Sequence, residues 1–215
     1  YNLNINTNKR RYLPENRENI AANIALLLDA AVSGKPLRRN TLLFARLRAD
    51  GTLEKPINAW GIMMRLEELS LPTGTRIIVG SGMLEEMTGM LVLEKASFFI
   101  KYEVLEAPTF EDARALFYDE GKLPAEFQSA SESYTEVRDK ALKAFNLGTF
   151  LSLSSVKERL VKASKFSPRH LSAKMLAKQS IRRPAYFSRH MFAQELNRRL
   201  EPLANFEYVI DRTPE

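Results

Sequence analysis

Cysteine is missing from this sequence, and histidine nearly so, with only His170 and His190 in 215 residues. The first absence excludes disulfides, thiolate metal sites and cysteine nucleophiles, and makes a reducing cytoplasm the expected compartment. The second leaves no pair of histidines at ligand spacing, so no metal and no cofactor is expected. Long apolar runs are also lacking. The longest, IALLL from Ile24 to Leu28, falls far short of the roughly 18 residues that cross a bilayer, so a membrane is not an expected partner. Glycine and proline are modest, at 9 and 10 residues, which excludes a collagen-like or low-complexity chain.

Catalytic signatures are equally scarce. RIIVGSGMLEEMTG, from Arg76 to Gly89, places Gly-x-Gly after a strand-like run, where a phosphate could be cradled. The dinucleotide fingerprint needs a third glycine where Glu85 stands, and Glu85 and Glu86 would repel a phosphate. No Gly-Lys-Ser/Thr follows, and no Gly-x-Ser-x-Gly occurs. A tight turn that needs small residues accounts for Gly80 to Gly82. Glu94 and Lys95, at the end of VLEK, would point to opposite faces of a strand and so do not converge. No catalytic residue is nominated, and the chain is not expected to be an enzyme.

The remaining scarcity is local: acids are nearly absent from residues 151–202. That segment holds 12 lysines and arginines against Glu158, Glu195 and Glu201, a balance of +9 in a chain whose total is +6. Residues 1–150 sum to −1 and residues 203–215 to −2. Helices usually mix signs, since an opposite-charge pair one turn apart gains a few tenths of a kcal/mol. A segment without such compensation carries the electrostatic footprint of a polyanion binder.

Periodicity predicts an α+β fold: a mixed N-terminal part with a small antiparallel sheet and helices, then a basic helical C-terminal part. YNLNIN alternates as a strand. A helix runs from a cap at Asn16 to Ser33, with Ile20, Ile24, Leu27, Leu28 and Ala31 inward and Gly34 as its stop. TLLFARLRADGTLEK reads as a hairpin around Asp50-Gly51. Trp60 to Ser70 reads as a helix, RIIVGSG as a buried strand and FFIKYEVLEAP as another strand. Thr109 caps a short helix. The polar stretch KLPAEFQSAS divides a part covering 1–121, suited to oligomerisation, from a nucleic-acid-binding part covering 130–215. A helix over 131–146 turns Tyr134, Val137, Ala141, Ala144 and Phe145 to one side. Further helices are expected near 155–165, 168–178 and 184–201, and FEYVID reads as a closing strand.

Within 184–201, Ala185, Phe192, Leu196 and Leu200 share an apolar stripe expected to pack inward. The opposite side gathers Arg183, Phe187, His190, Met191, Gln194 and Arg198. Together with the preceding helix and the turn Gln179 to Arg183, this resembles a helix-turn-helix in outline, without the usual glycine in the turn. The candidate nucleic-acid-binding residues are Arg159, Lys162, Lys165, Arg169, Lys174, Lys178, Arg182, Arg183, Phe187, His190, Gln194, Arg198 and Arg199. Arg10, Arg11, Arg38 and Arg39 would add contacts if the fold brought their loops near. The expected function is double-stranded DNA binding by a homodimeric or higher-order transcription regulator or DNA-organising factor. DNA is preferred to RNA as partner. Two alternatives stand beside it: an RNA-binding subunit of a ribonucleoprotein, with Tyr186 and Phe187 stacking on bases, and a module docking an acidic protein.

Overall fold

A computed structural model describes residues 17–93, 95–119 and 122–181, and beyond these Ala193, Leu196, Asn197 and Leu200. The first strand, the closing strand FEYVID, and Glu94, Arg182, Arg183, Phe187, His190, Gln194, Arg198 and Arg199 lie outside the described residues.

The molecule is mixed α/β. Its centre is a parallel sheet in the order β1-β4-β5, formed by Thr41–Phe44, Thr75–Val79 and Tyr102–Glu106. The hairpin predicted at Asp50-Gly51 is present but shorter than expected. It pairs only β2 (Arg46–Leu47) with β3 (Leu53–Glu54), while the TLLF half of the stretch leaves it to join the parallel sheet. Among the described residues an antiparallel sheet is therefore confined to two short strands. The main sheet is parallel because helices fill the crossovers: α2 (Ala59–Glu68) between β1 and β4, then α3 (Leu84–Val92) and α4 (Ser97–Lys101) between β4 and β5.

Both faces of the sheet are covered, which is why its central strand reads as an unbroken apolar run, IIV. Successive side chains point oppositely. Ile77, Val79, Tyr102 and Val104 enter one core with α2, α3 and α4 and with the helices that follow. Ile78, Leu43 and Leu105 enter the other, against α1 (Arg17–Ser33) and α5 (Phe110–Phe117). α1 does not bury the face expected of it. Ala22 and Leu26 are the buried positions, whereas Leu27, Leu28 and Val32 are 48%, 39% and 71% exposed. Its apolar residues go nearly all the way round, so spacing alone could not choose a side. Asn23, which donates to the Leu43 carbonyl at 3.2 Å, fixes the side that meets β1.

FFIK, expected to open a strand, forms α4, and the extended run begins only at Tyr102. The polar connection expected over 122–131 is helical from its middle onward, as the start of α6 (Ala125–Ala141). Because α6 ends at Ala141, Phe145 leaves the predicted face and is fully exposed, while Tyr134, Val137 and Ala141 are buried as expected. A short helix not anticipated, α7 (Leu147–Leu151), precedes α8 (Ser154–Phe166) and α9 (Leu171–Ile181). Tyr134, Val137, Leu160, Leu171 and Met175 share the core that holds Ile77 and Val104, so apolar packing runs continuously from the sheet into the basic helices.

The segment entering α9 closes the outer edge of β5. Glu106 N–H donates to the Arg169 carbonyl at 2.8 Å and Val104 N–H to Ser172 Oγ at 2.8 Å, while Ser172 Oγ–H donates to the Tyr102 carbonyl at 2.7 Å. An edge that would otherwise offer unpaired backbone groups is thereby covered. The same bonds fix Arg169, His170 and the origin of α9 against the sheet.

Candidate nucleic-acid interface

α9 is a core helix. Leu171, Ser172, Ala173, Met175, Leu176, Ala177 and Ser180 are buried, which leaves an outward strip of Lys174, Lys178 and Ile181 at helical spacing. α8 buries Val156, Leu160 and Ala163 and turns Lys157, Glu158, Arg159, Lys162, Lys165 and Phe166 outward. The outward lysines of the two helices thus number five, with Glu158 as the acid among them. Lys162 Nζ lies 5.9 Å from the ring centre of Phe166, which is itself 66% exposed.

The two arginines among the described candidates are paired with acids from other helices, Arg159 at the surface and Arg169 half-buried. Arg159 is ion-paired with Glu136 on α6. Arg169 bridges Asp112 on α5, at 2.9 Å, and Glu126 on α6, with its guanidinium 5.4 Å from the Phe127 ring. Its hydrogen bond to Glu126, followed by Asp112, raises its already high pKa. Acids missing from residues 151–202 are thus supplied across the fold, from α5 and α6, for these two cations. Sequence spacing within a segment carries no sign of partners that tertiary packing brings in.

Arg38 and Arg39 sit before β1. Arg39 is exposed, whereas Arg38 donates to the Lys122 carbonyl at 3.2 Å and lies 3.7 Å from Asp119. Beyond Ile181 the four described positions are helical; of the stripe expected to pack inward, Leu196 and Leu200 are 45% and 46% exposed, and Ala185 and Phe192 lie outside the described residues.

The phosphate-cradle motif is occupied by the protein's own backbone. Ser81 N–H donates to the Leu53 carbonyl at 2.9 Å, Lys55 N–H to the Ser81 carbonyl at 2.8 Å, and Gly80 N–H approaches the Phe44 carbonyl at 3.4 Å. A Cβ at Gly80 would lie 2.2 Å from the Glu54 carbonyl oxygen, so glycine is there to let β3 approach. Lys55 and Glu86, 3.0 Å apart, tie the hairpin to α3.

A polar cluster that sequence reasoning missed lies between β4, β5, α6 and α9. Arg76 donates from Nε to Glu103 at 2.8 Å, with a second nitrogen 2.7 Å away. His170 Nδ1 accepts from Ala173 N–H at 3.2 Å, so its proton is on Nε2, 3.2 Å from the other Glu103 oxygen. Burial pushes Glu103 upward, but the His170 hydrogen bond and the Arg76 charge outweigh it and hold the carboxyl at about 2. Ser131 lies near enough to add to that effect, yet its hydroxyl completes no hydrogen bond. Burial also raises Tyr134, whose hydroxyl donates to the Phe99 and Tyr102 carbonyls at 2.9 and 3.0 Å. The sequence offers no spacing signal for this cluster, since its members are drawn from β4, β5, α6 and the segment that enters α9.

Among the described residues no group of three or more histidines and carboxylates is placed to hold a metal, and no helix is long and apolar enough to cross a membrane. Compared with protein-family models, curated proteins and solved structures, the chain matches none.

Proposed function

We propose that this chain binds double-stranded DNA, as a transcription regulator or DNA-organising factor, through the outward lysines of α8 and α9 and the arginines that follow α9. The observation that carries the reading is that Lys157, Lys162, Lys165 and Lys178 are exposed and Lys174 half-exposed, on two helices anchored in the core. Cations on helices held by a core can meet phosphates without the helices themselves having to order on binding. Arg159 and Arg169 have a structural part in this proposal, holding α8 to α6 and the α9 entry to α5 and α6. Lys162, Lys165, Lys174, Lys178, Arg182 and Arg183 are then the principal phosphate contacts, with Gln194, Arg198, Arg199, Phe187 and His190 nearer the groove. In its finer form, α9 and the helix over 184–201 make a helix-turn-helix-like pair, and a homodimer built on residues 1–121 presents two of them. The exposed Leu27, Leu28 and Val32 of α1 favour such an assembly.

The test is a mobility shift of duplex DNA by the wild type and by the double variant Lys162→Glu, Lys165→Glu. Both positions are exposed, so folding should be retained. The expected result is a loss of affinity of at least tenfold, uniform across DNA sequences, as phosphate contacts dictate. Undiminished binding by the double variant would remove the proposal. The exposed Phe166 beside Lys162 favours a second reading, in which a single-stranded RNA base stacks on the ring. RNA outcompeting duplex DNA, with the advantage lost in Phe166→Ala, would select it.

A further inference from the structure

Between the last turn of α6 and the first of α8 the chain reads KALKAFNLGTFLSLSSVK, from Lys140 to Lys157, without a single acid. The two helices run antiparallel. Ala130 and Ala163 share one small core cluster and Glu136 pairs with Arg159, so rising numbers on α6 meet falling numbers on α8. Carried on, that register sets Leu142 level with Leu153 and brings Lys140 and Lys157 to the same end of the pair. Leu151 is buried there, and Leu147 and Phe150 pack against the core, which holds α7 and its flanking turns in place. Three large apolar side chains are nevertheless left outside. Leu142 and Leu153 are 54% and 50% exposed, and Phe145 is fully exposed. Lys140, Lys143 and Lys157 are exposed around them.

Apolar side chains exposed together and rimmed by charge mark an interaction surface. The acids closest along α6 are matched within the fold, Asp139 by Arg138 at 2.9 Å and Glu136 by Arg159, and Glu158 is the one acid in the first two turns of α8. The lysines therefore select a partner of negative charge. A ring as exposed as Phe145 stands on a projection, and it selects a partner that needs no preformed pocket to receive it. A bilayer with anionic headgroups meets both demands, since lysines approach the headgroups while an aromatic ring settles at their level. Duplex DNA offers the charge but keeps its apolar surface inside the base stack, and an acidic protein would have to present a pocket. From this arrangement we infer that the end of the molecule formed by residues 140–157 docks on an anionic membrane surface. Leu142, Phe145 and Leu153 enter the interface, and Lys140, Lys143 and Lys157 meet headgroup phosphates. Such docking needs no spanning helix, and none is present among the described residues. Lys157 is the one residue shared with the lysines assigned to DNA, and the inference stands or falls separately from that proposal.

Cosedimentation of the whole chain with vesicles of phosphatidylcholine alone, and of phosphatidylcholine mixed with phosphatidylserine, tests the inference. The wild type should bind the mixed vesicles about tenfold or more tightly than the neutral ones, as three lysines at a charged surface dictate. Phe145→Ala should weaken binding to mixed vesicles about tenfold, the effect of withdrawing one large apolar side chain. The double variant Lys140→Glu, Lys143→Glu should weaken it by about tenfold or more. All three positions are exposed, so the melting temperature should stay that of the wild type, which separates lost docking from lost folding. Phe145→Ala should also shift duplex DNA as the wild type does. Phe145→Trp reports insertion directly, above the signal of the single native Trp60. Its emission should move to the blue on mixed vesicles and be quenched by brominated acyl chains, which a ring left in water would not show. Equal binding to the two kinds of vesicle, binding to neither, undiminished binding by Phe145→Ala, or Phe145→Trp emission that mixed vesicles leave unchanged would each overturn the inference.

Discussion

Glu103 shows at the scale of one residue how a buried charge is made tolerable. It sits on β5 with 4% of its surface exposed, between Arg76 and His170, and remains ionised down to about pH 2 against an ordinary value of 4.5. A carboxyl depressed in the folded state contributes stability that is complete above its unfolded pKa and is lost as the pH falls toward the folded one. Glu103→Gln should therefore cost on the order of 3 kcal/mol near neutral pH, from the depression of its pKa and the Arg76 charge left unpaired. Chemical denaturation at a series of pH values should show the gap between variant and wild type narrowing from about pH 4.5 to pH 2. A gap that stays constant over that window would mean the carboxylate's charge is not what stabilises the site. The sequence gives no hint of this residue's role. Glu103 lies within FFIKYEVLEAP, read only as a strand, and its burial between Arg76 of β4 and His170 at the entry to α9 depends on partners distant in sequence.

Among the elements, those with local punctuation were legible. Gly34, at φ 67°, ends α1 where expected. Thr109 forms a capping box with Asp112 at the start of α5, and Gly51, at φ 85°, turns the hairpin. Elements whose form depends on partners were not. FFIK has the composition of a strand but forms α4, because Phe98, Phe99 and Ile100 can all be buried at once against the helical layer. TLLF pairs with β4 instead of folding back, since a parallel partner is invisible to local alternation. The Gly80 turn marks where hairpin and sheet meet, and it yields a prediction at this scale. Gly80→Ala would drive a Cβ into the Glu54 backbone, and because backbone cannot swing aside as a flexible side chain can, the variant should lose about 2–3 kcal/mol. Thermal unfolding measures it, and hydrogen exchange should show the loss concentrated at Leu53, Lys55 and Ser81. A variant as stable as the wild type would mean that β3 does not press on that turn.

Over the whole molecule, charge and fold divide the labour differently from what the sequence suggests. The basic segment is legible as a segment, but not its internal sorting: Arg159 and Arg169 meet acids on α5 and α6, while five lysines of α8 and α9 occupy the surface or its margin. The packing that joins β4 and β5 to α9 makes this basic face part of the same body as the sheet. A face so held can engage a polyanion without refolding, and its affinity should then be governed by counterion release. The most direct measurement is the Kd for duplex DNA as a function of salt concentration, for the wild type and for Lys162→Glu, Lys165→Glu. A plot of log affinity against log salt should fall with a slope steeper than about −3 for the wild type, each lysine that contacts a phosphate contributing roughly −0.9, and should flatten by about 2 in the double variant. Weak binding that is insensitive to salt, or a slope the double variant leaves unchanged, would contradict the account.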